Sequence, residues 1–364
     1  MAGPLIGAQL AEFGADVVKI ENADGRGDSF RMTGTRVVIE KENGATETMA
    51  SNWHNVNRGK RSLTLDLKSE RGKAIFLQLA ADADVFLQNF RPGVAEKLGI
   101  GYDDLSALNP ELIYLSSSGF GETGPSSEQR VYDAVIQARA GIAALQRKGA
   151  HFPYNTSKEN LDSPPPQIGM QTLIVDKITA YTSCQSILAA LYARDVRGIG
   201  GQHIKINMLD AALQYIWSDG MTDITFQEEE RVEHPTSPLA PFHILPCADG
   251  HIQVVGWNAQ PLFEYMAGRF APEVLADDRF MLPSDRLEHW PEFIEQYRAA
   301  LTANATVATM TEHLESYGDQ PGQVPYGVVR TTALPFAALC CPALLPCTAG
   351  AHGSPALLLC ANLN

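Results

Sequence analysis

Two hydrophobic periods alternate along this chain, and the points where one gives way to the other mark its elements. GPLIGAQLAEFGADVVKIENADG (3–25) reads as a helix, a glycine stop at Gly14 and a strand over 16–20. KRSLTLDL (60–67) alternates as a strand and passes into the helical SERGKAIFLQLAADA (69–83), with Ser69 placed as its N-cap. ADVFLQNF (83–90) and ELIYLSSSGF (111–120) are near-continuous apolar runs of strand length. An amphipathic helix is predicted over 177–194, and QHIKINMLDAALQYIWSD (202–219) reads as a strand running into a helix. Strands alternating with helices at this spacing predict parallel βαβ units covered on both faces.

The pattern then breaks. Residues 147–170 are a Pro- and Ser-rich loop, too polar for a core, and 221–241 are an acidic, Pro-rich linker. Beyond it, HILPCADGHIQVVGW (243–257) predicts a hairpin turning at Asp249-Gly250. The fold class is therefore α/β: a Rossmann-like large domain with a parallel sheet over 1–220, and a smaller α+β domain over 242–330. Residues 331–364 contain no Lys, Arg, Asp or Glu, and no period survives the prolines at 335, 342, 346 and 355. This segment reads as an atypical tail, as if out of frame with the body.

Composition narrows the function. Hydrophobic residues make up 45% and charged residues 19% of the chain, as in ordinary globular proteins. The net charge of −14 argues against nucleic acid and anionic membranes as partners. No apolar run reaches the roughly 20 residues of a membrane helix, and no signal or transit pattern opens the chain, so a cytoplasmic location is expected. None of the six cysteines has C-x-x-C spacing, so no zinc site is expected. EEER (228–231) with His234 lacks a helix-face spacing for a metal and reads as solvated linker.

In so acidic a chain, an anionic ligand needs a locally basic site, and the clustered cations become informative. Lys60, Arg61 and Lys68 flank a strand, and Asn89-Phe90-Arg91 bring an amide, an aromatic face and a cation to a loop closed by Pro92-Gly93. That chemistry suits a nucleotide-bearing ligand. Asp176 sits where a polar loop gives way to an apolar-striped helix. Read plainly it is an N-cap; the same place also suits an ionised carboxylate beside unpaired N–H groups. GFGETG (119–124) spells G-x-G-x-x-G, but Pro125-Ser126-Ser127 opens no helix and no acid lies in 138–147, so dinucleotide binding is not expected.

Together, NRGKRSLTLDLKS (57–69) and NFRPGVAEKLGIGYDDLSALNPELIYLSSSGFGETGP (89–125) resemble the class III coenzyme A transferases, the CaiB/BaiF family, with the likeness running from Gly3 to about Val329. The resemblance implies transfer of CoA from an acyl-CoA to a carboxylic acid, an interlocked homodimer, and no metal. It makes Asp176, followed by Ile187-Leu188-Ala189-Ala190-Leu191 and Arg194, the match to the family's nucleophile, which forms an aspartyl-CoA thioester. It places Leu65 and Lys68 near adenine and ribose, Asn89 and Phe90 on the nucleotide loop, and Lys97 at a phosphate. Arg130 and Tyr132 join the CoA-binding candidates. Asn22 stands where some relatives carry an arginine, and the strand that opens the family before the Gly-Pro matching Gly3-Pro4 is missing. The racemase branch, acting on 2-methylacyl-CoA, has histidine at the Tyr132 position. A tyrosine, with an ordinary pKa of about 10, is a poor base at neutral pH. That racemase and an inactive, truncated CoA-binding homologue are the alternatives.

Overall fold

The computed structural model describes residues 1–23, 27–145, 170, 172–221, 243–254, 259–318, 329–330 and 357–362. The predicted loop over 147–170 and linker over 221–241 lie almost wholly outside them, as does His234. The chain divides into two units, one of Met1–Lys148, Pro166–Ser218 and Leu345–Asn364, the other of Gly149–Pro165 and Asp219–Leu344.

The first unit opens with helix α1 (Ala2–Glu12) and strand β1 (Asp16–Asn22), joined through Gly14 at φ 99°. A 3-10 turn (Ser29–Met32) leads to a hairpin of β2 (Arg36–Glu40) and β3 (Thr46–Ala50), helix α2 (Ser51–Asn55) and strand β4 (Lys60–Leu65). Helix α3 (Glu70–Ala81) starts at the cap the sequence predicts: Ser69 Oγ accepts the Gly72 N–H at 3.1 Å. Next come β5 (Val85–Gln88), the short helices α4 (Val94–Leu98) and α5 (Tyr102–Leu108), and β6 (Ile113–Ser118). Helices α6 (Asp133–Arg139) and α7 (Ile142–Leu145) precede α8 (Ile174–Arg197), which overruns its predicted 177–194 at both ends. Strand β7 (Gln202–Asn207) runs directly into α9 (Met208–Gly220), as expected.

The strands alternate between two cores because successive strand side chains face opposite ways. Val18, Phe86 and Tyr114 join Phe76, Ile100 and Leu105 of the α3–α5 side. Their neighbours Val17, Val85, Leu87, Ile113 and Leu115 join Ile6 and Leu10 of α1 and Ala180, Cys184 and Ile187 of α8. Burying Phe86 completely contributes about 1.5–3 kcal/mol, and its edge-on contacts with Phe76 and Tyr114 add to that.

In the second unit, β8 (His243–Cys247) and β9 (Gly250–Val254) pair antiparallel. The closing pair is Cys247–Gly250, so the turn is Ala248-Asp249, one residue before its predicted place. Asp249 is held there because its Oδ1 accepts the Val307 N–H at 2.7 Å. Helices α10 (Gln260–Phe270), α11 (Pro272–Leu275), α12 (Pro283–Glu288), α13 (Trp290–Asn304) and α14 (Val307–Gly318) follow, and β10 (Val329–Arg330) adds to β9. The core is aromatic, with Phe263, Phe280, Phe293 and Tyr297 fully buried. Arg286 is buried among them, its guanidinium 4.1 Å from the Phe263 ring and bonded to the Phe280 and Met281 carbonyls.

The last strand, β11 (Leu357–Asn362), returns to the first unit. The sheet order is β4-β1-β11-β5-β6-β7, all parallel, with β11 between β1 and β5. Leu357 stands opposite Asp16, and Leu358 stands opposite both Val17 and Val85. This corrects the reading of 331–364 as a tail without elements. A strand paired on both edges inside a parallel sheet shows a short apolar run rather than alternation, so periodicity was the wrong signal for LLLCAN.

Candidate active site

Parallel strands with connecting helices bring the strands' carboxyl ends and the helices' amino ends to one side, where ligands of such sheets bind. Asp176 lies there. The helix begins before it: Leu173 is the N-cap and offers no side-chain bond, so Asp176 belongs to the first turn of α8. The plain N-cap reading is thus corrected. Its carboxylate instead meets α1: Oδ1 accepts the Ala2 N–H at 3.0 Å, and the Met1 ammonium lies 3.7 Å from the same oxygen. Asp176 is 9% exposed, at the meeting of two helix amino ends.

The missing cap of α8 comes from another helix. Asp133 Oδ2 accepts the Asp176 N–H at 2.9 Å, and Asp133 is itself buried. Asp133 follows Tyr132, one of the expected CoA-binding residues, directly in the chain. Tyr132 is the exposed N-cap of α6. Asn89 joins the group from the end of β5. A Cβ added at Gly3 would lie 2.9 Å from Asn89 Cγ, so glycine there lets the amide lie against the start of α1, one residue from Ala2.

The other expected ligand residues separate by strand direction. Lys60 and Arg61 start β4 and stand opposite Val17 and Val18, toward the sheet's amino ends. Lys60 Nζ donates to Pro4 O at 2.5 Å, Val56 O at 2.8 Å and Asn57 Oδ1 at 3.1 Å, tying α1 to β4. Arg61 forms a two-point pair with Asp16 at 2.9 and 2.5 Å. Arg61 is thus held against Asp16 at the start of β1, and the Lys60 ammonium against the first turn of α1. Leu65 ends β4, buried in the α3–α5 core, and the exposed Lys68 follows it. Lys97 and Arg130 are exposed.

Phe90 is buried rather than presented to solvent, and its N–H donates to Gln88 Oε1 at 2.7 Å. It lines, with Gln88, Arg91 and the serines 116–118, a cleft of about 140 Å³ at the carboxyl ends of β5 and β6. Beneath it, Gln88 Nε2 donates to Ser116 Oγ at 3.1 Å, and Ser116 Oγ lies 2.9 Å from His203 Nε2. Burial, helped by Lys205, pushes the His203 pKa below the ordinary imidazole value.

The loop after β1 is fixed by ions. Lys19 Nζ pairs with Asp28 Oδ2 at 2.5 Å with both side chains buried, and Arg31 pairs with both oxygens of Glu21 while lying 4.1 Å from the Trp53 ring. Burial works to raise the Glu21 pKa, but Arg31, Lys19 and Ser62 outweigh it and hold the carboxyl below its usual range. Sequence reading passed over this cluster, although G-D-x-x-R (27–31) carries it. Among the described residues, no three His, Cys, Asp or Glu side chains gather as a metal group, and no helix is long and apolar enough to cross a membrane.

The chain is similar to known proteins in sequence and in fold. The chain is 34% identical to a succinyl-CoA–D-citramalate CoA-transferase of Chloroflexus aurantiacus, over 89% of this chain and 75% of that one. It is 35% identical to an acetyl-CoA:oxalate CoA-transferase of Acetobacter aceti, over 78% and 67% of the two chains. A CAIB/BAIF family protein from Brucella suis superposes with a TM-score of 0.71 at 29% identity, covering 93% of this chain and 82% of that one. The sequence profile of CoA-transferase family III matches residues 1–337. A parallel sheet with a buried aspartate at its carboxyl edge, the motifs of 57–69 and 89–125, and this match over most of the chain show that the protein belongs to CoA-transferase family III, enzymes that move coenzyme A between carboxylic acids.

Proposed function

We propose that Asp176 is the nucleophile of this CoA transfer and that the transfer passes through an aspartyl-CoA thioester. Asp176 attacks the thioester carbonyl of the donor and expels CoA thiolate, leaving a mixed anhydride. The thiolate then attacks the aspartyl carbonyl of the anhydride, forming the Asp176 thioester and releasing the donor acid. The acceptor carboxylate attacks that thioester carbonyl and expels the thiolate once more. The thiolate returns to the acceptor's carbonyl, giving the new acyl-CoA and free Asp176. The observation that carries this reading is the Asp176 carboxylate itself. It is almost wholly buried, accepts the Ala2 N–H and sits between two helix amino ends, which favour an anion and the oxyanions formed on it. Burial also keeps water from the anhydride.

Leu65, Lys68, Asn89, Phe90, Arg91, Lys97, Arg130 and Tyr132 are proposed to hold CoA; Asn89 stands nearest the nucleophile's helix contact. The same reading has a homodimer acting in the cytoplasm. Tyr181, Leu188 and Tyr192 form one exposed apolar face of α8 that a second copy would cover. The free, buried thiols of Cys184 and Cys247 fit a reducing compartment.

The test is intact-protein mass spectrometry after mixing with succinyl-CoA or acetyl-CoA, with D-citramalate, glutarate and oxalate as trial acceptors. A CoA adduct that maps to Asp176, is cleared by hydroxylamine and is absent in Asp176→Ala is expected. Turnover surviving in Asp176→Ala would overturn the assignment.

A further inference from the structure

Gln137 lies one turn beyond Asp133 on α6 and is 3% exposed. Its amide is used from both ends. Nε2 donates to Asp133 Oδ1 at 2.5 Å and shares its second N–H between Thr172 O at 3.2 Å and Met170 O at 3.4 Å. Oε1 accepts the Met170 N–H at 2.7 Å. Asp133 carries the connection to the Asp176 N–H. A continuous set of bonds thus runs from the backbone before α8, through Gln137 and Asp133, to the backbone of Asp176.

We propose that Gln137 is a positioning residue for CoA transfer, holding the Asp133 carboxylate and the backbone at 170 and 172 together so that Asp176 is fixed at the start of α8. The proposal rests on Asp176 being the nucleophile. Its physical basis is that α8 has no cap of its own, because Leu173 offers no acceptor. The Asp133 carboxylate is the side-chain acceptor for the Asp176 N–H in that first turn. That carboxylate has one oxygen on Asp176 and the other on Gln137, so the Gln137 amide sets its rotation. Glutamine is suited to the place because one side chain supplies both a donor for Asp133 and an acceptor for Met170. Leucine would supply neither. Glutamate has the same shape but can donate to Asp133 only when protonated.

Among the described residues, the charged groups bonded into this network are Asp133 on its own helix and Asp176 and Lys177 on α8, with the Met1 ammonium beside Asp176. Lys177 Nζ is bonded to Thr172 Oγ1 at 2.5 Å. A glutamate at 137 would face the Asp133 carboxylate directly, and two such groups in contact retain a proton above the ordinary carboxyl range.

The test compares full-length Gln137→Leu, Gln137→Glu and Asp176→Ala, each followed by steady-state kinetics from acid to mildly alkaline pH and by thermal unfolding. Gln137→Leu is expected to lose about 10- to 100-fold in kcat, with the donor KM close to that of the unchanged protein. Gln137→Glu is expected to be weak at alkaline pH and to regain turnover, relative to the unchanged protein, as its new carboxyl takes up a proton. That recovery is not expected of a purely space-filling role, and it is read from a variant of native size even if Gln137→Leu folds poorly. Unchanged kcat in both Gln137 variants, with Asp176→Ala inactive, would overturn the role of Gln137 alone, as would a Gln137→Glu profile parallel to that of the unchanged protein. An active Asp176→Ala would overturn the nucleophile assignment and this proposal with it.

Discussion

Substituting Leu359 by proline tests the least expected feature of the fold, the seating of β11 between β1 and β5. Leu359 stands opposite Val18 on one side and Phe86 on the other. Proline removes the backbone N–H and puts ring carbons in its place, toward a neighbouring strand. The carbonyl that accepted that N–H is left unpaired between strands, which costs about 1–3 kcal/mol. The steric conflict adds to this, so the loss should reach about 3 kcal/mol or more. Against the 5–15 kcal/mol typical of a folded domain, that is a large share. Urea unfolding followed by far-UV circular dichroism should show an earlier midpoint for the first unit's transition. Hydrogen exchange should show faster loss of protection over 17–22 and 85–88, the strands flanking β11. Deleting 345–364 should produce the same pattern more strongly, because β1 and β5 both lose a partner. If both variants kept the native midpoint and the native protection of β1 and β5, the placement of β11 would be refuted.

Two further outcomes follow from buried charges. Asp28→Leu should cost about 3–5 kcal/mol by stranding the buried Lys19 ammonium, whereas Lys19→Met with Asp28→Leu should cost much less; equal losses in a double-mutant cycle by urea unfolding would contradict this. The folded-state pKa of His203 is depressed by burial, so its contribution to stability is fully present above the unfolded value of 6.5 and is lost as pH falls through the folded one. The unfolding free energy should therefore decline below about pH 6.5, and less so in His203→Gln; identical pH dependence in the two proteins would refute it.

The sequence by itself determined the local architecture. The apolar runs at 83–90 and 111–120, the cap at Ser69 and the glycine stop at Gly14 depend on near neighbours, and each stands where its pattern placed it. Asp176 was legible as a carboxylate at a helix start for the same reason. Tertiary structure decided what depends on groups distant in sequence. Whether a lysine meets a ligand turns on which end of a strand it occupies and what surrounds it. Lys60 and Arg61 look like basic ligand residues, yet the fold uses them to hold α1 and Asp16. The cap of α8 comes from Asp133, 43 positions away, and the strand between β1 and β5 comes from the far end of the chain. Periodicity reports the solvent boundary along one element. It carries no record of which distant backbone or carboxylate completes a ladder or a helix end, because those partners meet only when the sheet assembles.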